Sequence, residues 1–425
     1  MDAEDHARLV PLDSAATVAA ASAAPPGTGL ARFYAFQVVS ELAFTSSVWI
    51  IFLQGRGFSL SEIGLAESFF HLAPVTLELP SGSFADVLGR KWSLAAGALL
   101  IAVSTTLIFV ADSLWLLLPA MYLNGASYAF RSGAQQAFLF DSLASQPAGG
   151  RFSFTSLFGR LNAVAYIAIA ASSALGGVLA ERDFALPFGL TIGAGLAAAW
   201  LAAGLREPER DQTERLGMGG TMVAALRIVR GNRQLLAIVV FVAALWTVST
   251  LVHLYGQAVL SERGLPPSQI GIIFGAVLFA TALGAWLAGR LIRVRSFHFW
   301  TIGATLVVAA SGVLMGGGPL VLAIGGLVVT ELFAGAYEPM VAQRVNEAIS
   351  SAQRATIISV EGFLFSFTMI WAFPLFGFTA ERWGWLPAYA AAGGVILVLL
   401  VVFLTIDRGP RSGSASDIPG PAQSV

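Results

Sequence analysis

Charged side chains stand inside long apolar stretches of this chain. Five of them fall well within such stretches: Glu41, Glu78, Arg131, Glu331 and Glu338. A charge in hydrocarbon is costly, so a membrane segment keeps one chiefly where it faces a cavity or an opposite charge. A carboxylate beside an arginine can exchange that contact for a proton, and these residues are therefore predicted to bind protons or to line a substrate cavity.

Glu41 and Arg131 are the pair most able to meet. Each lies about nine residues from the same end of its apolar run, and at 1.5 Å per residue both would be roughly 14 Å deep in the membrane. Glu67, His71 and Glu78 share one face of a helix. Glu67 is near the outer end, where a solvated stripe is the plainer interpretation, and His253 is expected to be a surface histidine.

A second cluster, ELPSGSFADVLGRK at 78–91, joins two apolar runs. It holds Gly82, Asp86, Gly89, Arg90 and Lys91, which predict a short turn with an acid near two bases. Glycine lets helices approach closely because it has no Cβ. With Asp141, which is placed at the same membrane side, these residues are predicted to form a gate on the cytoplasmic side.

Composition places these residues in a membrane protein. The chain has 425 residues, of which 56% are hydrophobic and 12% charged, whereas soluble domains carry about 25% charged residues. Apolar runs of about 20 residues can cross a hydrocarbon core. Twelve spans are predicted near 32–54, 62–83, 92–111, 115–140, 154–180, 186–205, 234–257, 268–290, 298–316, 319–344, 356–380 and 386–406.

Composition also narrows the function. A net charge of −1 argues against a nucleic-acid partner, and the absence of cysteine excludes disulfides and thiol chemistry. The chain has no HExxH, GxSxG or phosphate-binding motif. No enzymatic activity, cofactor or metal site is predicted, and a membrane-embedded enzyme or receptor is the remote alternative.

The basic residues orient the chain. Only Arg56, Arg182, Arg263 and Arg382 fall in the loops assigned outside, whereas Lys and Arg concentrate in the opposite loops and tails. Since short cytoplasmic loops collect positive charge, both termini are predicted to be cytoplasmic in a multi-pass plasma-membrane protein. Residues 1–28 and 409–425 are expected to be disordered tails, and 206–233 a polar linker between segments 29–205 and 234–408.

The two halves of the chain repeat. RGFSLSEIG starts at Arg56 and RGLPPSQIG at Arg263, 207 positions later, while GVLAERDFALP at Gly177 matches GFTAERWGWLP at Gly377, 200 positions later. Parallel repeats of this kind are typical of transporters whose two halves rock about a central site.

The 78–91 cluster resembles the signature loop G-x-L-A-D-x-x-G-R-K of the major facilitator superfamily, in its drug-efflux-like branch. Its Gly, Asp, Gly, Arg and Lys are in place, with Phe84 and Val87 at the variant positions. The resemblance implies an all-α membrane fold of twelve helices in two pseudo-symmetric six-helix bundles, and a monomer that works by alternating access.

The resemblance leaves two directions of transport open. Drug–proton antiporters of the superfamily carry GPxxGG in the fifth span, where this chain has SSALGG from Ser172 to Gly177. The preferred interpretation is proton-coupled efflux of small amphipathic or drug-like compounds; proton-coupled uptake of a nutrient or metabolite is the alternative. The expected cavity lining is largely aromatic: Phe33, Phe36, Phe44, Trp49, Trp246 and Tyr337.

Overall fold

The computed structural model describes residues 27–144, 154–207, 230–347 and 354–407, and every regular element within them is an α-helix. The predicted all-α fold is confirmed. The helices are α1 Gly27–Ser40, α2 Trp49–Gly55, α3 Leu60–Leu88, α4 Arg90–Val110, α5 Leu114–Ala144, α6 Phe154–Ala180, α7 Ala185–Ala203, α8 Arg233–Glu262, α9 Pro267–Leu291, α10 Phe297–Gly317, α11 Leu320–Glu347, α12 Arg354–Trp383 and α13 Trp385–Asp407.

Helices lie at each position where a span is predicted. Nine helical segments in the described ranges are long and apolar enough to cross a membrane, so the count of twelve crossings stays a prediction. The predicted tails and the linker, 1–28, 206–233 and 409–425, fall almost wholly outside the described residues.

The junction between α3 and α4 is tighter than the sequence suggested. Gly89 is the single residue between the two helices, and its φ of 111° is in the region that favours glycine. Gly82 and Asp86 therefore lie on the last turns of α3, and the prediction that they form part of a turn is wrong. Because one glycine reverses the chain direction, the helix runs on past the predicted span end.

The first predicted span, 32–54, is interrupted. α1 ends at Ser40, α2 begins at Trp49, and the backbone between them is not helical. Irregular backbone at membrane depth is tolerated only where protein or water satisfies its polar groups. The continuous first span was therefore a wrong prediction, and the interruption must be supported by other helices.

Helix α6 supplies much of that support. The amide of Ala43 donates a hydrogen bond to the Ser172 hydroxyl at 3.1 Å, and the Ser47 hydroxyl donates to the Ser173 carbonyl at 2.8 Å. These serines belong to the SSALGG stretch, in place of the antiporter Gly-Pro pair. The substituted residues thus hold the interruption by hydrogen bonds.

Two further contacts complete the support. A Cβ at Gly176 would lie 1.7 Å from the Phe44 carbonyl oxygen, so only glycine leaves room for the interrupted backbone there. From α8, the Gln257 side chain donates a hydrogen bond of 2.8 Å to the Ser46 carbonyl. The interruption between α1 and α2 is therefore a junction of both halves of the chain.

The halves meet along α3 with α12 and α6 with α9. At the end opposite Gly89, called the far end, backbone meets backbone. A Cβ on Gly64 would be 2.6 Å from the Phe373 carbonyl oxygen, and one on Gly177 would be 2.5 Å from the Cα of Gly271. Such contact between helices requires small residues.

The two far-end contacts are copies of one another. Gly271 lies 207 positions after Gly64, and Gly377, which contacts Leu60 across the α3–α12 interface, lies 200 positions after Gly177. Tyr255 seals one of them: it is 1% exposed, and its hydroxyl lies 3.2 Å from the Leu60 carbonyl oxygen. The internal repeat thus produces the closure of the far end.

The end that carries Gly89, called the Gly89 end, is packed less closely than the far end. A Cβ on Gly133, Gly289 or Gly362 would meet nothing within 4 Å. These three glycines lie on α5, α9 and α12, towards the Gly89 end of each helix. Gly133 and Gly362 line one cavity between α5 and α12. The halves therefore stand apart here, and the polar and apolar cavities described next lie on this side.

Candidate site for substrate and protons

Arg131 and Glu41 lie together at the interruption of the first span. Nη1 of Arg131 is 3.5 Å from Oε1 of Glu41 and donates a hydrogen bond of 3.0 Å to the Ser40 carbonyl. Ser40 ends α1, and a helix C-terminus carries partial negative charge that favours a cation. The structure thus brings together the two residues that the sequence predicts to meet.

The aliphatic part of the Arg131 side chain packs against the backbone of α4. A Cβ on Gly97 would lie 2.5 Å from Cγ of Arg131 and 2.9 Å from the Ser127 carbonyl oxygen. Gly97 is buried, so the arginine stem passes directly over the α4 backbone. This glycine fixes the position of the guanidinium.

A polar cavity of about 350 Å³ opens beside the pair, between α1, α5 and α6. It contains Glu41 and Arg131, and amide and hydroxyl side chains make up much of the remaining lining. Those side chains are Gln37, Tyr128, Ser132, Gln135, Gln136 and Tyr166. The cavity can hydrogen-bond a polar group.

An apolar cavity of about 710 Å³ adjoins it, between α3, α5 and α12. Aromatic rings from Phe70, Phe363 and Phe365 line it, and Tyr128, Ser132 and Gln136 belong to both cavities. The combined space therefore has a polar part and an aromatic part.

Two titratable residues predicted to share a helix face line this apolar cavity. The His71 ring lies 5.5 Å from that of Phe365, and His71 is 6% exposed. Glu78 also lines the cavity and is exposed on α3. Glu78 is thus far from the Arg131–Glu41 pair but within the same large space.

A third cavity, of about 280 Å³, lies on the other side of Glu41 and Arg131, which line it too. Glu67 faces into this cavity and is only 7% exposed. The interpretation of Glu67 as part of a solvated stripe is therefore wrong, because neighbouring helices cover it. Glu41 and Arg131 therefore line both this cavity and the polar cavity.

The expected aromatic lining is only partly correct. Phe33 lines the polar cavity and Trp49 the third one. Phe36 and Tyr337 are buried in core clusters, at 0% and 2% exposure. Periodicity places them on inward faces, but it does not distinguish a cavity wall from a packed core.

The second half holds an acid with two partners. Oε1 of Glu331 lies 3.0 Å from Nδ1 of His253, and the Thr281 hydroxyl donates a hydrogen bond of 3.0 Å to Oε2. His253 is also edge-on to Phe274 at 5.0 Å. The prediction of a surface histidine is wrong, because α8, α9 and α11 enclose the pair.

Glu338 lies on the exposed part of α11. It is close enough to Tyr128 and Tyr166 to act on both electrostatically. Glu338 is the repeat counterpart of Arg131, so opposite charges from the two halves are near Tyr128.

The Gly89 end is organised by a carboxylate that the sequence did not single out. Glu207 accepts hydrogen bonds from the backbone amides of Arg90 at 2.6 Å and Lys91 at 3.0 Å, which begin α4. The Arg90 side chain contacts Asp141 and the Ala137 carbonyl. Asp141 therefore lies at the α3–α4 junction, and its role in a gate stays a prediction.

Comparison with known proteins gives the family. The Major Facilitator Superfamily model matches residues 33–263, more than half of the chain. The chain belongs to the Major Facilitator Superfamily. A transporter of this superfamily, the uncharacterized MFS-type transporter YxaM of Bacillus subtilis (strain 168), is 25% identical over 251 residues, which cover 57% of this chain and 61% of that protein.

Solved structures share the superfamily fold. A mutant of the nucleoside transporter NupG matches with a TM-score of 0.76 at 14% identity, covering 89% of this chain and 98% of that one. A bacterial homolog of the human lysosomal transporter Spinster, inward-facing and unoccupied, matches with a TM-score of 0.67 at 16% identity over 91% and 96%. At these identities the likeness establishes the fold alone.

Several site residues carried no distinctive signal in the sequence. Gln37, Gln135 and Tyr166 are ordinary polar residues within apolar runs, and only packing places them in one cavity. Glu67 did carry a signal, because an acid in an apolar helix is costly. Its position near a predicted span end concealed that signal.

Proposed function

We propose that the chain is a proton-coupled secondary transporter, which moves a small amphipathic solute across the plasma membrane by alternating access. The observation that carries this is the Glu41–Arg131 pair, at 3.5 Å, which lines both the polar cavity and the third cavity, where Glu67 lies. A carboxylate in that position can exchange its arginine contact for a proton. One proton moved through 100 mV supplies about 2.3 kcal/mol.

The packing at the two ends suggests which conformational state of a transporter the structure represents. If the basic Gly89 end is cytoplasmic, with both termini on that side, the structure corresponds to an inward-open state. The glycine contacts of the far end would then be the closed outer gate. Superfamily membership supports a transporter over an enzyme or receptor, and a single chain contains both halves of the site, so we propose that the working unit is a monomer.

Efflux of drug-like compounds in exchange for protons is the direction that the resemblance to the drug-efflux branch favours. Uptake together with a proton is the second candidate, and it is favoured by Nε of Arg131 and Nε2 of Gln135, which have no hydrogen-bond partner among the described residues. In both cases the polar and aromatic cavities would accommodate an amphipathic solute.

The test is transport by purified protein in vesicles with an imposed proton gradient. A panel of fluorescent amphipathic compounds of different charge is offered with and without an uncoupler. We expect Glu41→Gln to lose gradient-driven accumulation and to retain substrate exchange, because a neutral side chain cannot carry the proton. Asp112→Asn, at an exposed loop position, serves as the matched control.

Substitutions of the other acids test whether Glu41 is the residue that couples proton movement to transport. Gln substitutions at Glu67, Glu78, Glu331 and Glu338 are compared in the same assay. If Glu41→Gln still concentrates substrate against its gradient, Glu41 does not couple protons, and the acid whose substitution abolishes accumulation takes that role. If none does, proton coupling through these acids is wrong.

A further inference from the structure

The polar cavity contains buried hydrogen-bond donors that have no partner. Nε of Arg131 and Nε2 of Gln135 are both buried without a hydrogen bond among the described residues. Among the described residues, the guanidinium makes one hydrogen bond, from Nη1 to Ser40. Both donors belong to residues that line the polar cavity. Because unpaired buried donors are costly, a side-chain rotation that turns them towards an acceptor in that cavity would be favourable.

The chemistry of the donors specifies the acceptor. A guanidinium has donors only, and its planar fork fits the two oxygens of a carboxylate. Gln135 is one helical turn after Arg131 on α5, so its amide is on the same face. Two adjacent donors, one of them cationic, favour an anionic group over a neutral or cationic one.

The neighbouring cavity specifies the rest of the molecule. The aromatic space of about 710 Å³ starts at Tyr128, Ser132 and Gln136, which also line the polar cavity. A ligand with its charged group at Arg131 would extend its apolar part towards Phe70 and Phe365. We propose that the substrate is an amphipathic organic anion, with a carboxylate bound by Arg131 and Gln135 and an aromatic or aliphatic body in the adjoining cavity. This rests on the transport function proposed above.

A substrate carboxylate at Arg131 determines whether substrate binding favours or opposes proton binding at Glu41. Glu41 already lies 3.5 Å from the guanidinium, and a second carboxylate at Arg131 would be repelled by an ionised Glu41. Proton binding at Glu41 removes that repulsion, so proton and anion bind together, as in a symporter. The other titratable or charged groups that face this region are Arg131 and Tyr128 on α5, Tyr166 on α6, Glu67 on α3, and Glu331 and Glu338 on α11.

The experiment is a binding measurement on the purified protein in lipid nanodiscs, with three probes of one shape. They are naphthoate, its neutral carboxamide and the cationic naphthylmethylamine, followed by tryptophan fluorescence. We expect naphthoate to bind at least about tenfold tighter than the other two, since an ionic contact adds about 1.5–3 kcal/mol. Its affinity should rise on acidification, by up to about tenfold per pH unit for one linked proton.

Variants separate the roles of the residues. Gln135→Leu keeps the volume of the side chain and removes the donor, so it should weaken naphthoate and leave the carboxamide unchanged, whereas Gln269→Leu, at the exposed start of α9, should change neither. Glu41→Gln should bind naphthoate with an affinity that no longer depends on pH. Arg131→Gln should abolish the preference for the anion.

Failure of the anion proposal and failure of the proposed transport function would be seen in different measurements. Equal or tighter binding of the carboxamide or the amine would overturn the anion proposal, as would anion binding that is unaffected by Gln135→Leu and Arg131→Gln. Binding requires no proton gradient, so the binding data alone test the preference for an anion. A failure of vesicle transport would instead count against the proposed transport function.

Discussion

Both halves of the repeat contribute helices to the far end and to the Gly89 end, yet the two ends pack in opposite ways. At the far end, Gly64 and Gly177 bring the halves to backbone contact, whereas Gly133 and Gly362 near the Gly89 end face open space. Glycines therefore form backbone contacts between the halves at the far end and line open space near the Gly89 end. The difference indicates that closure at the far end depends on the approach of one helix backbone to another.

The largest effect on transport is expected from adding a side chain at one of the glycine contacts of the far end. Gly271→Val should place methyl groups against the α6 backbone, which cannot move aside as a flexible side chain could. Overpacking costs about 1–3 kcal/mol, or about fivefold to 150-fold in the balance between states, and transport should be lost. The measurement is transport together with the amount of protein in the membrane.

The control lies on a helix surface. Gly394 is exposed on α13 and has nothing near its would-be Cβ, so Gly394→Val should transport normally. Normal transport by Gly271→Val would show that the halves do not need backbone contact.

A substitution at the Gly89 junction tests the other end. Gly89→Ala forces a side chain into a conformation with φ of 111° and brings its Cβ within 3.0 Å of the Glu207 carboxylate. Strained backbone of this type costs about 1–3 kcal/mol. We expect a lower thermal unfolding temperature and severalfold slower transport, measured on purified protein; Gly133→Ala, where space is open, should keep the wild-type unfolding temperature.

The charged contact at the far end should have a smaller effect. Glu381 accepts a 3.0 Å hydrogen bond from the Ser61 amide and contacts the Ser61 hydroxyl, at the start of α3. An acid at a helix N-terminus contributes about 0.3–1 kcal/mol, so Glu381→Gln should shift the conformational balance severalfold towards opening of the far end. The chain has no cysteine, so single introduced cysteines report accessibility at either end.

The repeat supplies the control for that contact. Glu181 is the counterpart of Glu381, 200 positions earlier, and it is exposed. Glu181→Gln should leave labelling at both ends unchanged. Equal shifts in the two variants would mean that the Ser61 contact does not hold the far end closed.

The smallest effect is expected at Asp86, which is exposed on α3 in this open arrangement. If its carboxylate stabilises the closed form of the Gly89 end, Asp86→Asn should favour the open form by a factor of a few, since such contacts contribute about 0.3–1 kcal/mol. Cysteine labelling near Gly362 should become faster. Unchanged labelling at both ends would remove Asp86 from the gate.

The sequence by itself determined the helices, the repeat and the position of Gly89. Apolar runs of membrane-spanning length leave the backbone few alternatives to a helix, and the Gly-Arg-Lys junction marks the reversal between α3 and α4. Charges within apolar runs were visible as costly residues, which is why Glu41, Arg131 and Glu331 could be selected without a structure.

Only the tertiary structure decided which partners those charges have. The interruption between Ser40 and Trp49 exists because α6 and Gln257 of α8 satisfy its backbone, and these partners are more than 120 positions away in the chain. His253 reaches Glu331 across 78 positions for the same reason. Hydrogen bonds between distant segments depend on how helices pack, and the local pattern of a sequence records the helices but not their neighbours.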